Sequence, residues 1–275
     1  MAVKNNVLIA TYNWLRDQGL LLGTTTSPHL VKDYSLEIAK GNISGHRALT
    51  KFGRNPTVGT SGFNTIWNGG GSYTGFNATG AEIVSIVSSS INDVNSTGTG
   101  AWSIRLYGLD TNLEEITEDI LLNGTTAVLT TLSYKRLDRI KVLDAGSIGW
   151  NVGDLTVRQS VTTANIFAVV PATYNSTMIA AYTIPSNMTG FLTSQTSSIA
   201  NRNAASVIVR MKIRQPGLVF TVAGEAAMNS TGTGFVRMEF RVPHRLEGGT
   251  DLFIEAEASS TVAVTAFMDI MLVAN

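Results

Sequence analysis

The sequence contains no cysteine. That removes disulfides, thiolate metal sites and a cysteine nucleophile together, so any staple in the fold is non-covalent. Net charge is absent too, with 20 Lys and Arg set against 20 Asp and Glu. A zero balance argues against a dedicated nucleic-acid binder. No stretch approaches the roughly 20 consecutive apolar residues that a membrane-spanning helix needs, so no membrane partner is expected. The first ten residues lack the long apolar run and small-residue cleavage site of a secretory signal, which predicts a soluble chain made in the cytoplasm of its producing cell. Heptads and long fibrous repeats are missing as well.

Charge is scarce, at 15% of 275 residues, while hydrophobic residues make up 44%. A disordered chain would show more charge and fewer branched residues, so this one folds. Low charge together with abundant Gly, Ser, Thr and Asn favours an all-β protein of many short strands. The charge is unevenly placed. Residues 1–60 hold seven basic against three acidic residues, residues 61–165 hold six against ten, and residues 166–275 hold seven of each.

Helical spacing of Val7, Leu8, Thr11, Trp14 and Leu15 predicts a short helix within Asn5–Gln18, stopped by Gly19. From Leu20 to Thr60 glycines and polar residues break every apolar pattern. The expectation for 1–60 is an extended basic arm that orders against a partner. Beyond Thr60 the period becomes two. Trp102, Ile104, Leu106 and Gly108 alternate with Ser103, Arg105 and Tyr107, and the apolar segments 116–122, 127–129, 137–143 and 155–157 follow between turn signals. Cleaner alternation comes later: Val207, Val209, Met211 and Ile213 against Arg210, Lys212 and Arg214, then Val236, Met238, Phe240 and Val242 against Arg237, Glu239 and Arg241. The almost wholly apolar Val262–Val273 predicts a central or doubly covered strand. The predicted fold is all-β: an N-terminal arm (1–60) followed by two antiparallel, jelly-roll-like β-sandwich domains, 61–165 and 166–275.

The hexapeptide NSTGTG occurs twice, at Asn95–Gly100 and Asn229–Gly234. A phosphate-binding glycine loop opens a helix and usually carries a lysine. Each copy here leads into an alternating strand with no adjacent lysine, so it reads as a turn in which glycines take positive φ. The Asn-X-Ser/Thr sequons need a secretory route and read as products of composition. Asp110, Glu114, Glu115, Glu118 and Asp119 are the one acidic concentration, and on a strand their side chains divide between two faces. A glycosidase needs carboxylates facing each other across a sugar, whereas charges on a solvated edge strand deter aggregation. The second reading is preferred, for Glu255 and Glu257 as well. His29, His46 and His244 are scattered without paired spacing or a nucleophile elbow. No catalytic residue, metal ligand or cofactor is therefore expected. Trp67, Tyr73 and Phe76, in and beside the Gly-rich tract 69–75, either stack on a sugar or plug the end of a sandwich.

The run Glu37-Ile38-Ala39-Lys40-Gly41-Asn42-Ile43-Ser44-Gly45-His46, followed by Lys51-Phe52-Gly53-Arg54-Asn55, resembles a run in virion structural proteins of tailed bacteriophages. Thr65-Ile66-Trp67, Tyr107-Gly108-Leu109-Asp110, Leu122-Asn123-Gly124-Thr125 and Tyr182-Thr183-Ile184-Pro185 extend the resemblance over residues 37–200. It implies a non-catalytic, multi-copy particle component assembled in the host cytoplasm, with head decoration, minor capsid or head-to-tail accessory as its place. The partners implied are copies of itself, in a trimer by expectation of the class, and major capsid, portal, neck or tail proteins. Lys40, Arg47, Lys51, Phe52, Arg54 and Trp67 are the expected interaction residues. The alternative is a receptor- or carbohydrate-binding tail or fibre module that uses exposed aromatics.

Overall fold

The computed structural model describes residues 34–200, 205–232 and 234–275. The helix expected at 5–18 lies outside them. The chain divides into two units, 1–48 and 49–275.

In the first unit, helix α1 (Tyr34–Ala39) is a single short run that ends at Gly41. Gly41 takes φ +75°, its N–H donates to the Ile38 carbonyl, and the Asn42 N–H donates to the Glu37 carbonyl. These are the two bonds of a Schellman cap, in which glycine adopts the left-handed conformation without steric cost. Glu37 fastens the same end by accepting from Lys40 Nζ at 3.2 Å and Asn42 Nδ2 at 2.8 Å. The Lys-Gly-Asn of the virion-like run is thus a helix stop.

The second unit is all-β, with every measured strand pair antiparallel. In chain order the strands are β1 (His46–Val58), whose first three residues belong to the other unit, β2 (Asn64–Thr65), β3 (Glu82–Ser88), β4 (Ala101–Leu109), β5 (Glu115–Leu121), β6 (Val128–Tyr134), β7 (Arg136–Ala145) and β8 (Leu155–Gln159). They continue as β9 (Ile166–Val170), β10 (Ala181–Thr183), β11 (Met188–Ile199), β12 (Ser206–Arg214), β13 (Thr221–Asn229), β14 (Phe235–Leu246), β15 (Asp251–Ala258) and β16 (Val262–Ala274). Four sheets result, ordered β6-β3-β8-β9, β5-β4-β7, β1-β16-β11-β14 and β10-β15-β12-β13, with β2 beside β15.

Two apolar cores fill them. One gathers Val84, Ile86, Ile104, Leu106, Ile140, Leu155, Val157 and Phe167 from the first pair of sheets. The other gathers Leu192, Val207, Val209, Met211, Ile254, Val264, Met268 and Ile270 from the second pair. Alternation along each strand puts these residues on one face, and their burial is the main favourable term for the fold. β16 lies between β1 and β11, the central place that its apolar sequence predicted. β5, with the acidic run, is an edge strand.

Residues 49–58 build structure where sequence patterning showed only an arm. β1 pairs with β16 and turns Lys51, Gly53, Asn55 and Val58 inward. A Cβ on Gly53 would meet the Ile66 carbonyl at 2.2 Å and the Ala180 N at 2.3 Å, so only glycine permits that backbone crossing. Asn55 is buried and donates to the Thr65 carbonyl at 2.9 Å. An inward face of lysine, glycine and asparagine carries no hydrophobic period, which hides the strand from pattern reading.

The cores meet through the Gly-rich tract. Trp67 and Tyr73 stack edge-on at 5.1 Å, Tyr73 and Phe76 likewise at 5.1 Å, and Phe76 packs on Phe253 and Phe220 at 5.8 and 5.7 Å. Beside this aromatic row lies a buried ionic joint. Asp251 of β15 accepts from Arg136 of β7 at 3.1 and 3.2 Å, from Arg214 of β12 at 3.0 and 2.5 Å, and from Thr183 Oγ1 at 2.5 Å. Arg136 Nη1 also donates to the Ala78 and Lys135 carbonyls. One carboxylate therefore ties three strands of its own sheet to β7 of the β5-β4-β7 sheet.

Candidate functional site

Four alternate connections of the first sandwich, those that follow β3, β5, β7 and β9, converge at one end: residues 89–100, 122–127, 146–154 and 171–176. Two buried side chains hold three of them, and main-chain bonds from Gly124 to the Asp93 carbonyl and from Asn95 to the Leu122 carbonyl hold 122–127. Asp93 Oδ1 accepts from the N–H of Ala101 at 2.9 Å and of Val152 at 2.8 Å, while Oδ2 accepts from Ser88 Oγ at 2.6 Å and the Gly153 N–H at 2.8 Å. Three main-chain donors and a hydroxyl satisfy the buried carboxylate, as its burial requires. Asn151 does the same for the next pair of loops. Its Nδ2 donates to the carbonyls of Gly153 at 2.8 Å and Pro171 at 2.7 Å, and its Oδ1 accepts from the Asn175 N–H at 2.9 Å. Asn175 returns the bond, accepting from the Asn151 N–H at 3.0 Å.

The first NSTGTG belongs to this end, and its turn works differently from the expectation. Positive φ falls on Ser96, at +62°, and not on Gly98 or Gly100. The glycines allow close approach instead: a Cβ on Gly98 would meet the Asn92 carbonyl at 2.1 Å, and one on Gly100 would meet Asp93 Oδ1 at 2.2 Å. At the second copy the space around Gly232 and Gly234 is open, and Asn229 accepts from the Thr231 N–H and hydroxyl in an Asx turn. The first copy enters the central strand β4 and the second enters the edge strand β14. Unmatched strand order makes the repeat shared turn chemistry, not a duplicated domain.

Thr173 and Asn175 also take positive φ, +73° and +55°, so three of the four such non-glycine residues among those described lie in this loop cluster. For a β-branched threonine that conformation is strained, and strain persists only where surrounding bonds over-determine it. Between these braced segments Trp150 and Tyr174 stand 46% exposed each, with Ile91 and Ile148 also open to solvent. Large apolar side chains on a fixed backbone lose little entropy on docking. A lone tryptophan or tyrosine in a loop gives no such signal in sequence; the bracing Asp93 and Asn151 are isolated polar residues.

The expected interaction residues are dispersed. Lys40 pairs with Glu37 within the first unit, and Arg47 is exposed there. In the second unit Lys51 is buried, donates to the Asp138 carbonyl and lies 5.6 Å from the Tyr182 ring centroid. Burial pushes its ammonium down to about 8. Phe52 packs on Phe267 at 4.5 Å, and Arg54 is half-buried on the same strand. Trp67 is only 3% exposed and donates to the Gly71 carbonyl at 3.2 Å. With Tyr73 and Phe76 it plugs the joint, so none of the three is free to stack on a sugar.

The acidic run is consumed locally. Arg105 makes a bidentate 2.6 Å pair with Asp119 and holds that carboxyl below the usual range. Glu118 accepts from the Thr131 N–H and hydroxyl and the Leu132 N–H, and Asp110 accepts from the N–H groups of Asn112 and Glu114. Glu257 accepts from the Gly62 N–H, while partial burial raises Glu255. His46 Nδ1 lies 2.9 Å from the Ser44 carbonyl, His244 stacks on Phe240, and His29 is outside the described residues. Among the described residues no group of three or more His, Asp or Glu side chains is placed to hold a metal ion. An open cleft of about 320 Å³ lies over Thr193, Ser194, Arg237, Glu239, Phe240, Arg241 and Asp269, with charges of both signs.

No protein-family model matches the sequence, and no curated protein matches it. Among solved structures, the mosquito-larvicidal Cry4Aa toxin of Bacillus thuringiensis aligns at 11% identity and TM-score 0.20, covering 66% of this chain and 44% of the toxin. The chain thus spans less than half of that protein's length. The VP2 subviral particle of infectious bursal disease virus aligns at 8% identity and TM-score 0.20, over 84% of this chain and 73% of VP2. The Gx strain of that virus aligns at 10% identity and TM-score 0.17, over 83% of this chain and 75% of the other. Similarities of this size carry no argument about activity.

Proposed function

We propose that the chain is a non-enzymatic structural protein of a tailed-bacteriophage particle, a head decoration, minor capsid or head-to-tail accessory component present in many copies. The braced loop end carries this reading: apolar Ile91, Ile148, Trp150 and Tyr174 project from a backbone fixed by Asp93 and Asn151, a surface made for protein docking. The virion-like run over residues 37–55 supports it from sequence. So does the internal use of charge, since Asp93, Asp119 and Asp251 each hold strands or loops in place.

Residues 1–45 are the proposed attachment segment, with major capsid, portal, neck or tail proteins as neighbours. Because β1 belongs to a sheet, the test removes 1–45 and leaves the strand. Purified particles from cells producing the truncated chain should lack it, while full-length chain is incorporated. Equal incorporation of both would refute attachment through this segment.

Exposure of Trp150 and Tyr174 on adjoining loops favours one second reading, a receptor- or carbohydrate-binding module, because aromatic faces stack on sugars. Saturable binding on a glycan array, lost in Trp150→Ala, would establish it. Absence of binding to any glycan would leave the docking reading in place.

A further inference from the structure

β14 ends its sheet, and among the described residues no strand pairs with its outer side. Such an edge is twelve residues long and exposes a row of main-chain donors and acceptors, a template for another strand unless it is blocked. Proline and a bulge blunt only its second half. The ladder to β11 is regular from Phe235 to Glu239, and Pro243 and the register shift follow. In the first half Phe235 is 57% exposed, Val236 and Phe240 pack on the core with the half-buried Met238 on the same strand face, and Arg237, Glu239 and Arg241 face solvent.

We propose that two copies of this chain pair β14 to β14, antiparallel, about a two-fold axis through Met238. The register follows from elimination. Facing residues of an antiparallel pair share a sheet face, so the axis must pass through a residue and not between two. An axis at Glu239 sets Glu239 against itself and Arg237 against Arg241. An axis at Arg237 sets that arginine against itself. Like charges directly opposite are destabilising. An axis at Phe240 centres the pair in the bulged stretch and, although it sets Glu239 against Arg241, places Arg237 against Pro243, whereas Met238 lies within the regular ladder. An axis at Val236 leaves Glu239 without a basic partner. The axis at Met238 alone pairs Arg237 with the second copy's glutamate on the solvent face, twice by symmetry. On the core face it sets Val236 against phenylalanine and methionine against methionine, and it places Arg241 against the exposed Phe235 ring. Arg237 and Glu239 already meet within the strand at 2.8 Å, so pairing makes an alternating set of four charges. A continuous sheet across two copies also extends the apolar faces of both sandwiches, an isologous contact. The argument stands on the edge alone and does not rest on the particle reading.

The test uses the full purified chain, whose lack of cysteine leaves any introduced thiol unique. Sedimentation velocity should show a concentration-dependent dimer. Met238→Cys should form a disulfide-linked dimer under mild oxidation, since facing residues lie within disulfide reach, whereas Leu218→Cys should not. Glu239→Arg should weaken dimerisation about tenfold or more, and the exchanged pair Arg237→Glu with Glu239→Arg should restore it. A monomer at all concentrations would overturn the proposal. So would a trimer, or an oligomer that neither cross-links through position 238 nor responds to Glu239→Arg. The charge variants lie on solvent-facing positions, so they decide the matter even where the cysteine variant misfolds.

Discussion

Replacing Asp251 with alanine should uncouple the two cores. The carboxylate is almost fully buried and binds two guanidinium groups from different strands, one of them, Arg136, equally buried. Removing one partner of a buried ion pair leaves an uncompensated charge and typically costs about 3–5 kcal/mol. The lower part of that range applies here. Arg136 keeps the Ala78 and Lys135 carbonyls, and Arg214, 27% exposed at its side chain, can reach water. A loss of about 3–4 kcal/mol corresponds to a fall in Tm of about 6–16 °C for a domain of this size. Calorimetry tests the coupling as well as the magnitude. The native chain should melt residues 49–275 in one transition, and Asp251→Ala should split it, because the ionic tie between the cores is lost while the aromatic row from Trp67 to Phe253 and the Lys51–Asp138 contact remain. Adding Arg136→Met to Asp251→Leu should recover most of the loss, since a well-packed apolar replacement of a buried pair is often neutral. A loss below about 1 kcal/mol with a single unchanged transition would refute the reasoning.

Lys51 gives a pH signature. Its folded pKa, about 8, lies below the ordinary 10.5, so between those values the unfolded chain binds more protons and stability rises with pH. Lys51→Met should remove that rise, measured as the difference between the two urea-denaturation profiles from pH 7 to 10.5. A parallel pair of profiles would contradict it. Asp93→Ala leaves three main-chain donors without a partner and should cost at least about 3 kcal/mol, at about 1–3 kcal/mol for each unsatisfied group; denaturant titration checks it. Trp150→Ala and Tyr174→Ala should each change stability by less than about 0.5 kcal/mol while abolishing particle incorporation, which separates docking from folding. Gly53→Ala should fail to fold or lose more than about 3 kcal/mol, because the added methyl meets main chain and not a yielding side chain.

Strands with an unambiguous period were legible in the sequence. Val207–Ile213, Val236–Val242 and the apolar C-terminal run appear as β12, β14 and β16, and the acidic run appears as an edge strand. What escaped pattern reading was polar and non-local. β1 turns lysine, glycine and asparagine inward: Lys51 and Gly53 are accommodated far along the chain, at Asp138 and at the crossing with Ala180, and Asn55 by the Thr65 carbonyl of β2. Asp93, Asn151 and Asp251 are single residues whose importance arises when loops or sheets distant in sequence meet around them. The glycines of the first NSTGTG were correctly placed in a turn but for another reason, since close packing against Asn92 and Asp93 requires them and Ser96 carries the left-handed conformation. Of the residues expected to make interactions, Trp67 and Lys51 went to the interior, while the exposed aromatics Trp150 and Tyr174 carry no periodic signal.

The most direct test of a structural role in a phage particle is a reconstruction of the intact virion. The account predicts density for the all-β unit in many symmetry-related copies at the head or neck, with the loop end bearing Trp150 and Tyr174 seated against a neighbouring protein. Particles that are complete and infectious yet contain no copy of the chain would contradict it.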